Sequence, residues 1–230
     1  MKVEIVTLFP RFFDSVFSES MMQRAIDAGH LEIVLHDLRR YAIDKHKQAD
    51  DYRFGGGPGM LMKPEPFFRV LEEITASGLP RPLVIFPTPQ GRPFVQKDAV
   101  ELSHEQRLVI LCGHYKCIDQ RVIERWVDRQ YSLGDYVLTG GELAAAVIVD
   151  AAARMIPGVL GDFDSARGDS FYDELLDGPH YTRPEDYEGH RVPGVLMGGH
   201  HKNIEHWRRA LSKYVTSKIR PDLVDKGKGS

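Results

Sequence analysis

The chain has 230 residues, 42% of them apolar and 27% charged, enough for one sizeable globular domain with a small appendage and little disorder outside the ends. Its longest apolar run, LAAAVIVDAAARMI, is broken by Asp150 and Arg154 and is shorter than the roughly 20 residues that span a bilayer. Its only cysteines, Cys112 and Cys117, make no disulfide framework, so no membrane span and a reducing compartment are expected.

The N-terminus, MKVEIVTLF, alternates like a strand and lacks a cleavage site. It reads as mature structure and not as a signal peptide, which predicts a cytoplasmic protein. Short Val/Ile/Leu runs then recur between helix-like segments: VEIVTL (3–8), LEIVLHDL (31–38), PLVIF (82–86), RLVILC (107–112) and, as a fifth candidate, DYVL (135–138). This rhythm is that of a mostly parallel, buried sheet. Helical spacing is carried by RFFDSVF with MMQRAIDAG, by PFFRVLEEITASG, PFVQKDAVELS and DQRVIERWVDRQ, and by GELAAAVIVDAAARMI. Gly29 and Gly78 suit helix ends. Residues 1–160 thus form an α/β domain, 161–170 (GDFDSARGDS) a small, polar linker or lid, and 171–230 a small helical C-terminal domain. In the last of these, NIEHWRRALSKYV places Ile204, Trp207, Leu211, Tyr214 and Val215 on one stripe, with Arg209 and Lys213 on another face.

The net charge of −3 is polarised. Residues 190–230 hold nine Lys and Arg against three Asp and Glu, and the rest hold 21 against 30. A basic segment on an acidic protein is the electrostatic footprint of a phosphate-backbone partner, although a solvated helix face has the same composition.

Three loops leave strand-like runs with small or turn residues: PTPQG (87–91), CGHYKC (112–117) and SLGDYVLTGG (132–141). Ligands of open α/β sheets sit beyond the carboxyl ends of the strands. Glycine there lets backbone N–H and C=O groups approach a ligand closely. Taken singly, each loop also reads as a tight turn. GGGPGM (55–60) matches neither a dinucleotide fingerprint nor a P-loop, and it is either a flexible cover over a flat base or a structural turn. His190, His200, His201 and His206 lack a cysteine or a ligand-spaced carboxylate, so no protein metal site is expected.

The segments FGGGPGMLMKPEP (54–66), CGHYKCIDQRV (112–122), SLGDYVLTGGEL (132–143), AARMIPGVLG (152–161), DSF (169–171), HYTRP (180–184) and VPGVLMGGHHKNIEHWRR (192–209) run through nearly the whole chain. Their order resembles the tRNA (guanine-N1)-methyltransferase family of the SPOUT superfamily. The resemblance implies a SPOUT-type sheet with a deep trefoil knot, a feature too rare to be proposed on physics alone. It also implies methyl transfer from S-adenosylmethionine to N1 of guanosine 37 of tRNA. Cofactor contacts fall on Thr88, Pro89, Gly113, Tyr115, Ser132, Leu133, Tyr136, Leu138, Gly140 and Gly141. Asp169 is implied as general base and Arg154 as a positive group near the target guanine, in a homodimer that binds the anticodon arm. A magnesium (Mg2+) dependence is associated with the family. Gly57, Pro58, Gly59, Arg183, Arg208 and Arg209 are the candidate substrate contacts.

Those roles are chemically sensible. Guanine N1 carries a proton, so a carboxylate must remove it while charge moves toward O6, where a planar, permanently charged guanidinium stabilises it. Without the resemblance, Asp169 is an ordinary linker aspartate and Arg154 a helix-end arginine. The chain departs from the family pattern at Lys116 and Cys117, where an acidic residue and a glycine are usual, and mildly at Ala144 and Thr88. A lysine there reverses the local charge beside a sulfonium. The alternatives are therefore a catalytically silent RNA-binding protein and a methylase of another RNA position.

Overall fold

A computed structural model describes residues 1–161 and 168–226. The chain divides into two units, Met1–Gly161 and Asp162–Ser230. Of the expected linker, 162–167 lies outside the described residues.

The first unit is α/β. Strands β1 (Lys2–Thr7), β2 (Glu32–Asp37), β5 (Leu83–Pro93), β6 (Arg107–Leu111) and β7 (Arg129–Ser132) form one sheet in the order β2-β1-β6-β5-β7, and every pairing in it is parallel. Between them lie α1 (Ser20–Asp27), α2 (Pro64–Thr75), α3 (Gln96–Ser103) and α4 (Gln120–Trp126), and α5 (Glu142–Ala153) follows β7. The strand alternation sorts the core. Val3 and Ile5 of β1, with Leu108 and Ile110 of β6, meet the buried faces of α1, α3 and α5. Val6, Val109 and Leu111 turn to the other face, against α2 and α4. A sheet covered on both faces needs apolar residues at consecutive positions, which is why β6 (RLVIL) is buried throughout. Burying each such side chain contributes about 1.5–3 kcal/mol.

Helix ends follow local chemistry. Pro64 opens α2, whose first-turn N–H groups need no intrahelical partner. Asp119 accepts from the Arg121 N–H at 2.9 Å to cap α4. Gly29 and Gly78, each at φ 74°, end α1 and α2 in the left-handed region as expected.

Two elements differ from expectation. The fifth strand is Arg129–Ser132, not DYVL, whose Tyr136 and Val137 are exposed. RFFDSVF is not a full helix: Pro10–Phe13 makes a single 3-10 turn, which lets Phe13 and Phe17 stack in the core with ring centroids 5.4 Å apart.

One ion pair is buried inside this unit. Glu4 Oε2 accepts from Arg107 Nε at 2.6 Å, and Glu4 Oε1 lies 3.2 Å from His36 Nε2. Arg107 also donates to the carbonyls of Ile74 and Pro80 and to Ser77 Oγ. Burial pushes the Glu4 carboxyl up, but the hydrogen bonds from His36 and Arg107 and the charges of Arg107 and Lys2 hold it below its ordinary value of 4.5.

A hairpin of β3 (Asp50–Tyr52) and β4 (Met60–Met62) carries the GGGPG loop. It is tied to residues 116–119 by Lys116 N to Met60 O, Met62 N to Cys117 O and Asp119 N to Met62 O, at 3.0–3.1 Å.

The second unit contains the hairpin β8 (Asp186–Tyr187) and β9 (His190–Arg191), the single turn α6 (Gly194–Met197), α7 (His201–Ile219) and α8 (Pro221–Lys226). Ser212 Oγ donates to Leu176 O at 2.6 Å and Leu176 N–H donates to Thr216 Oγ1 at 2.9 Å, fastening α7 to the preceding segment. Ile204, Trp207, Leu211 and Val215 share the half-buried side of α7. Tyr214 does not, being 59% exposed with Lys218 Nζ 5.8 Å from its ring centroid. Lys202, Arg208, Arg209, Lys213 and Lys218 are exposed along the helix. Among the described residues, no helix is long and apolar enough to cross a membrane.

Candidate active site

The carboxyl ends of β5, β6 and β7 open into one cleft. Thr88, Pro89, Gly113, Tyr115, Ser132, Leu133, Tyr136, Leu138, Gly140 and Gly141 all line it, so the three glycine- and proline-marked loops converge in space. Phe86, His114, Tyr131 and Val137, which sequence reasoning did not single out, line it as well, and so does Cys117, one of the two marked departures from the family pattern.

Backbone packing builds the cleft. Gly141 N–H donates to Gly113 O at 2.9 Å, and a Cβ on Gly141 would lie 2.8 Å from Cys112 Cα and 2.9 Å from Gly113 N. Both contacts are main chain, so no side chain can yield. At Gly140 a Cβ would run into the His114 ring and meet Glu142 Oε2 at 2.6 Å. Gly141→Ala is accordingly expected to force the two loops apart. It should cost about 1–3 kcal/mol and weaken binding of the expected cofactor, whereas Gly161→Ala, with nothing within 4 Å, should do neither. Thermal melts with and without S-adenosylmethionine check this, and equal behaviour of the two variants would contradict it.

Behind Gly140 lies a polar network. His114 Nε2 sits 2.7 and 2.9 Å from the two Glu142 oxygens, and Thr7 Oγ1 donates to Glu142 Oε1 at 2.6 Å. Glu142 is almost fully buried, and its oxygens are engaged by two polar partners, as burial requires. The GGE triplet announced a turn into a helix, but nothing in it announced His114 as the partner.

The β5 wall has its own anchor. Pro87 and Arg92 both stand opposite Tyr131, so Thr88–Gly91 leaves the ladder as a four-residue excursion. Its far end is pinned by an Arg92–Asp98 ion pair. The buried Asp98 carboxylate also accepts from Val95 N–H at 3.0 Å, and the Arg92 guanidinium lies 4.8 Å from the centroid of the buried Tyr131 ring.

Tyr115 holds a left-handed φ of 58°, a conformation that costs about 1–3 kcal/mol for a bulky residue and recurs at ligand sites. Burial, then the Asp50 carboxylate that its hydroxyl engages, raises its pKa and keeps the phenol protonated. Burial likewise pushes up both thiols, Cys112 fully buried and Cys117 partly. Lys116 is exposed, and its aliphatic stem would meet a Cβ on Gly59 at 3.0 Å.

Gly57 and Gly59 sit at φ 95° and 90°, flanking Pro58. Arg53 Nε donates to Gly56 O at 2.6 Å, and its guanidinium fills the space a Cβ on Gly57 would take. The loop therefore wraps an arginine, and the left-handed φ at Gly57 favours glycine there. Arg154 caps the C-terminal end of α5 in the first unit. In the second unit, Asp169, Arg208 and Arg209 line one depression, while Arg183 and Arg208 line a groove with His180, Tyr181 and Ile204. Among the described residues no group of three or more His, Cys, Asp or Glu side chains is close enough to hold a metal ion.

The sequence profile of the family described as tRNA (Guanine-1)-methyltransferase TrmD matches residues 1–226. A protein of Clostridium acetobutylicum is 50% identical over 226 residues, 98% of this chain and 92% of its own. One of Geobacter metallireducens is 48% identical with the same coverage. One of Clostridioides difficile is 45% identical over 98% of both chains. All three bear the name tRNA (guanine-N(1)-)-methyltransferase.

Proposed function

Because the chain belongs to the tRNA (guanine-1)-methyltransferase family, we infer that it methylates N1 of guanosine 37 in tRNA with S-adenosylmethionine as donor. One observation carries the cofactor assignment: all ten implied cofactor positions line a single cleft beyond the carboxyl ends of parallel strands. The cleft fits such a ligand. Its walls at Gly113, Gly140 and Gly141 carry no side chain, so main chain comes close enough to read an adenine edge while Tyr115, Tyr136 and Leu133 cover apolar surface. When bound, the cofactor supplies a methyl group already activated on a sulfonium sulfur.

The protein supplies position and proton chemistry. Asp169 takes the N1 proton, Arg154 steadies the charge that grows on O6, and the GGGPG loop covers the flat base. Arg183, Arg208 and Arg209, with the other exposed cations of α7, meet the phosphates of the anticodon arm. The residues divide as 1–160 for the cofactor, 161–170 as linker and 171–230 for the RNA. The trefoil knot belongs to this reading, supported by the backbone approach of Gly91 to Tyr131 and of Gly141 to Cys112. So does the homodimer: Leu143 and Val147, one turn apart on α5, are about half exposed, and a second copy would cover them. The cytoplasm, where tRNA is modified, is its expected location.

Single-turnover methylation of a transcript carrying guanosine 37, with labelled S-adenosylmethionine and product mapping, tests the assignment. Magnesium is varied because Lys116 places positive charge where an acidic residue is usual. Label at N1 of that guanosine is expected. Label elsewhere would make the protein a methylase of another position. No label, with tRNA still bound, would favour the silent RNA-binding protein that Lys116 and Cys117 suggest.

A further inference from the structure

A ladder of rings leads out of the cleft onto the surface of the first unit. Tyr115, 51% exposed, lies with its ring centroid 6.4 Å from that of His114, and His114 lies 4.8 Å from Phe9. Phe9 lies two residues beyond the end of β1 and is 46% exposed. The guanidinium carbon of Arg39 sits 5.9 Å from the Phe9 ring centroid.

The Arg39 backbone N–H donates to Asp37 Oδ1 at 3.0 Å. The Arg39 guanidinium itself has no ion pair among the described residues. Two more cations stand close in sequence. Arg40 and Arg11 are 80% and 96% exposed and reach their carboxylates only at 3.9 Å. Neither Phe9 nor Arg39 lines the cofactor cleft.

An exposed aromatic ring beside an unpaired, planar, permanently charged group gives up apolar surface and electrostatic energy unless something with a flat face and a negative charge covers it. A nucleotide has both. The bases of a single-stranded loop can unstack onto protein rings, whereas those of a duplex cannot. We propose that Phe9 and Arg39 form a subsite for a nucleotide flanking the methylated guanosine, its base against the Phe9 ring and its phosphate on the Arg39 guanidinium. The subsite rests on the reading of tRNA as substrate. It extends RNA contact from the basic C-terminal unit to the rim of the cofactor cleft, with His114 and Tyr115 linking the two ligands.

The full-length protein with Phe9→Leu, Phe9→Tyr or Arg39→Gln tests it. Phe9→Leu should weaken tRNA binding roughly five- to hundredfold, the range that loss of one stacked base produces, and Phe9→Tyr should restore most of it. Arg39→Gln should weaken binding and flatten the log–log salt dependence by about 0.7, one single-strand phosphate. S-adenosylmethionine affinity and melting temperature should stay at their unsubstituted values in all three. Unchanged tRNA affinity and salt slope would overturn the subsite, as would a fall in cofactor affinity with tRNA binding intact, which would hand Arg39 to the cofactor carboxylate. Failure of the unsubstituted protein to bind tRNA would remove the substrate reading as well, so the two failures are distinguishable.

Discussion

Asp169→Asn is expected to slow single-turnover methyl transfer by about 10²–10⁴-fold, the span that loss of a general base produces. The amide keeps the shape of the side chain and loses the lone-pair basicity that a general base for the N1 proton needs. Asp169 is exposed and lies in the depression with Arg208 and Arg209, so the change removes no packed core. Melting temperature and S-adenosylmethionine binding should therefore hold. Raising the pH toward the range where guanine N1 ionises in solution should recover part of the lost rate, because hydroxide then replaces the missing base. A variant within about threefold of the unsubstituted rate would take Asp169 out of the role. Loss of cofactor binding instead would make it a structural residue.

The largest effect on stability is expected from Arg107→Ala. Removing one partner of a buried ion pair leaves the other charge unpaired at a cost of about 3–5 kcal/mol. Here both side chains are about 5% exposed, and the carbonyls of Ile74 and Pro80 lose a donor too. For a protein of this size the first unfolding transition should fall by roughly 6–20 °C. The deficit should depend on pH with a definite sign. Glu4 is held below its ordinary 4.5 in the folded state. Its contribution is therefore present above that value and fades as pH falls through the folded pKa. The unsubstituted protein loses the part of this stability that Arg107 supplies as acid is added, and the variant, in which only His36 and Lys2 still favour the Glu4 carboxylate, has less to lose, so the gap should narrow below about pH 4.5. A gap that stays constant from neutral pH into acid would show that Arg107 acts by packing alone.

The inner strands were legible because a parallel sheet covered on both faces demands apolar runs, which β1, β5 and β6 supply, and β2, half-buried at one edge, was legible from its Ile-Val-Leu run. The fifth was not. RQYS carries only Tyr131 as a large buried side chain, and it lies at the sheet edge, where a weaker pattern suffices. DYVL drew the assignment by its composition, yet its Tyr136 and Leu138 line the cleft. The three cleft loops were legible as glycine- and proline-marked strand exits. Their convergence was not, since it depends on strand order. The Glu142–His114–Thr7 network and the Arg92–Asp98 anchor join residues between 6 and 135 positions apart. No local spacing encodes such pairs.

The strand order also bears on how the protein is made. Lys2 pairs with Arg107 and Val6 with Leu111, so the first strand off the ribosome waits for the sixth before its second edge is closed. Glu142 must then arrive before Thr7 finds its acceptor. Such distant pairings close slowly, and until they do an apolar strand with an open edge is exposed to other chains. The parallel order that gathers three loops into a cleft thus leaves the nascent N-terminus dependent on residues made more than a hundred positions later.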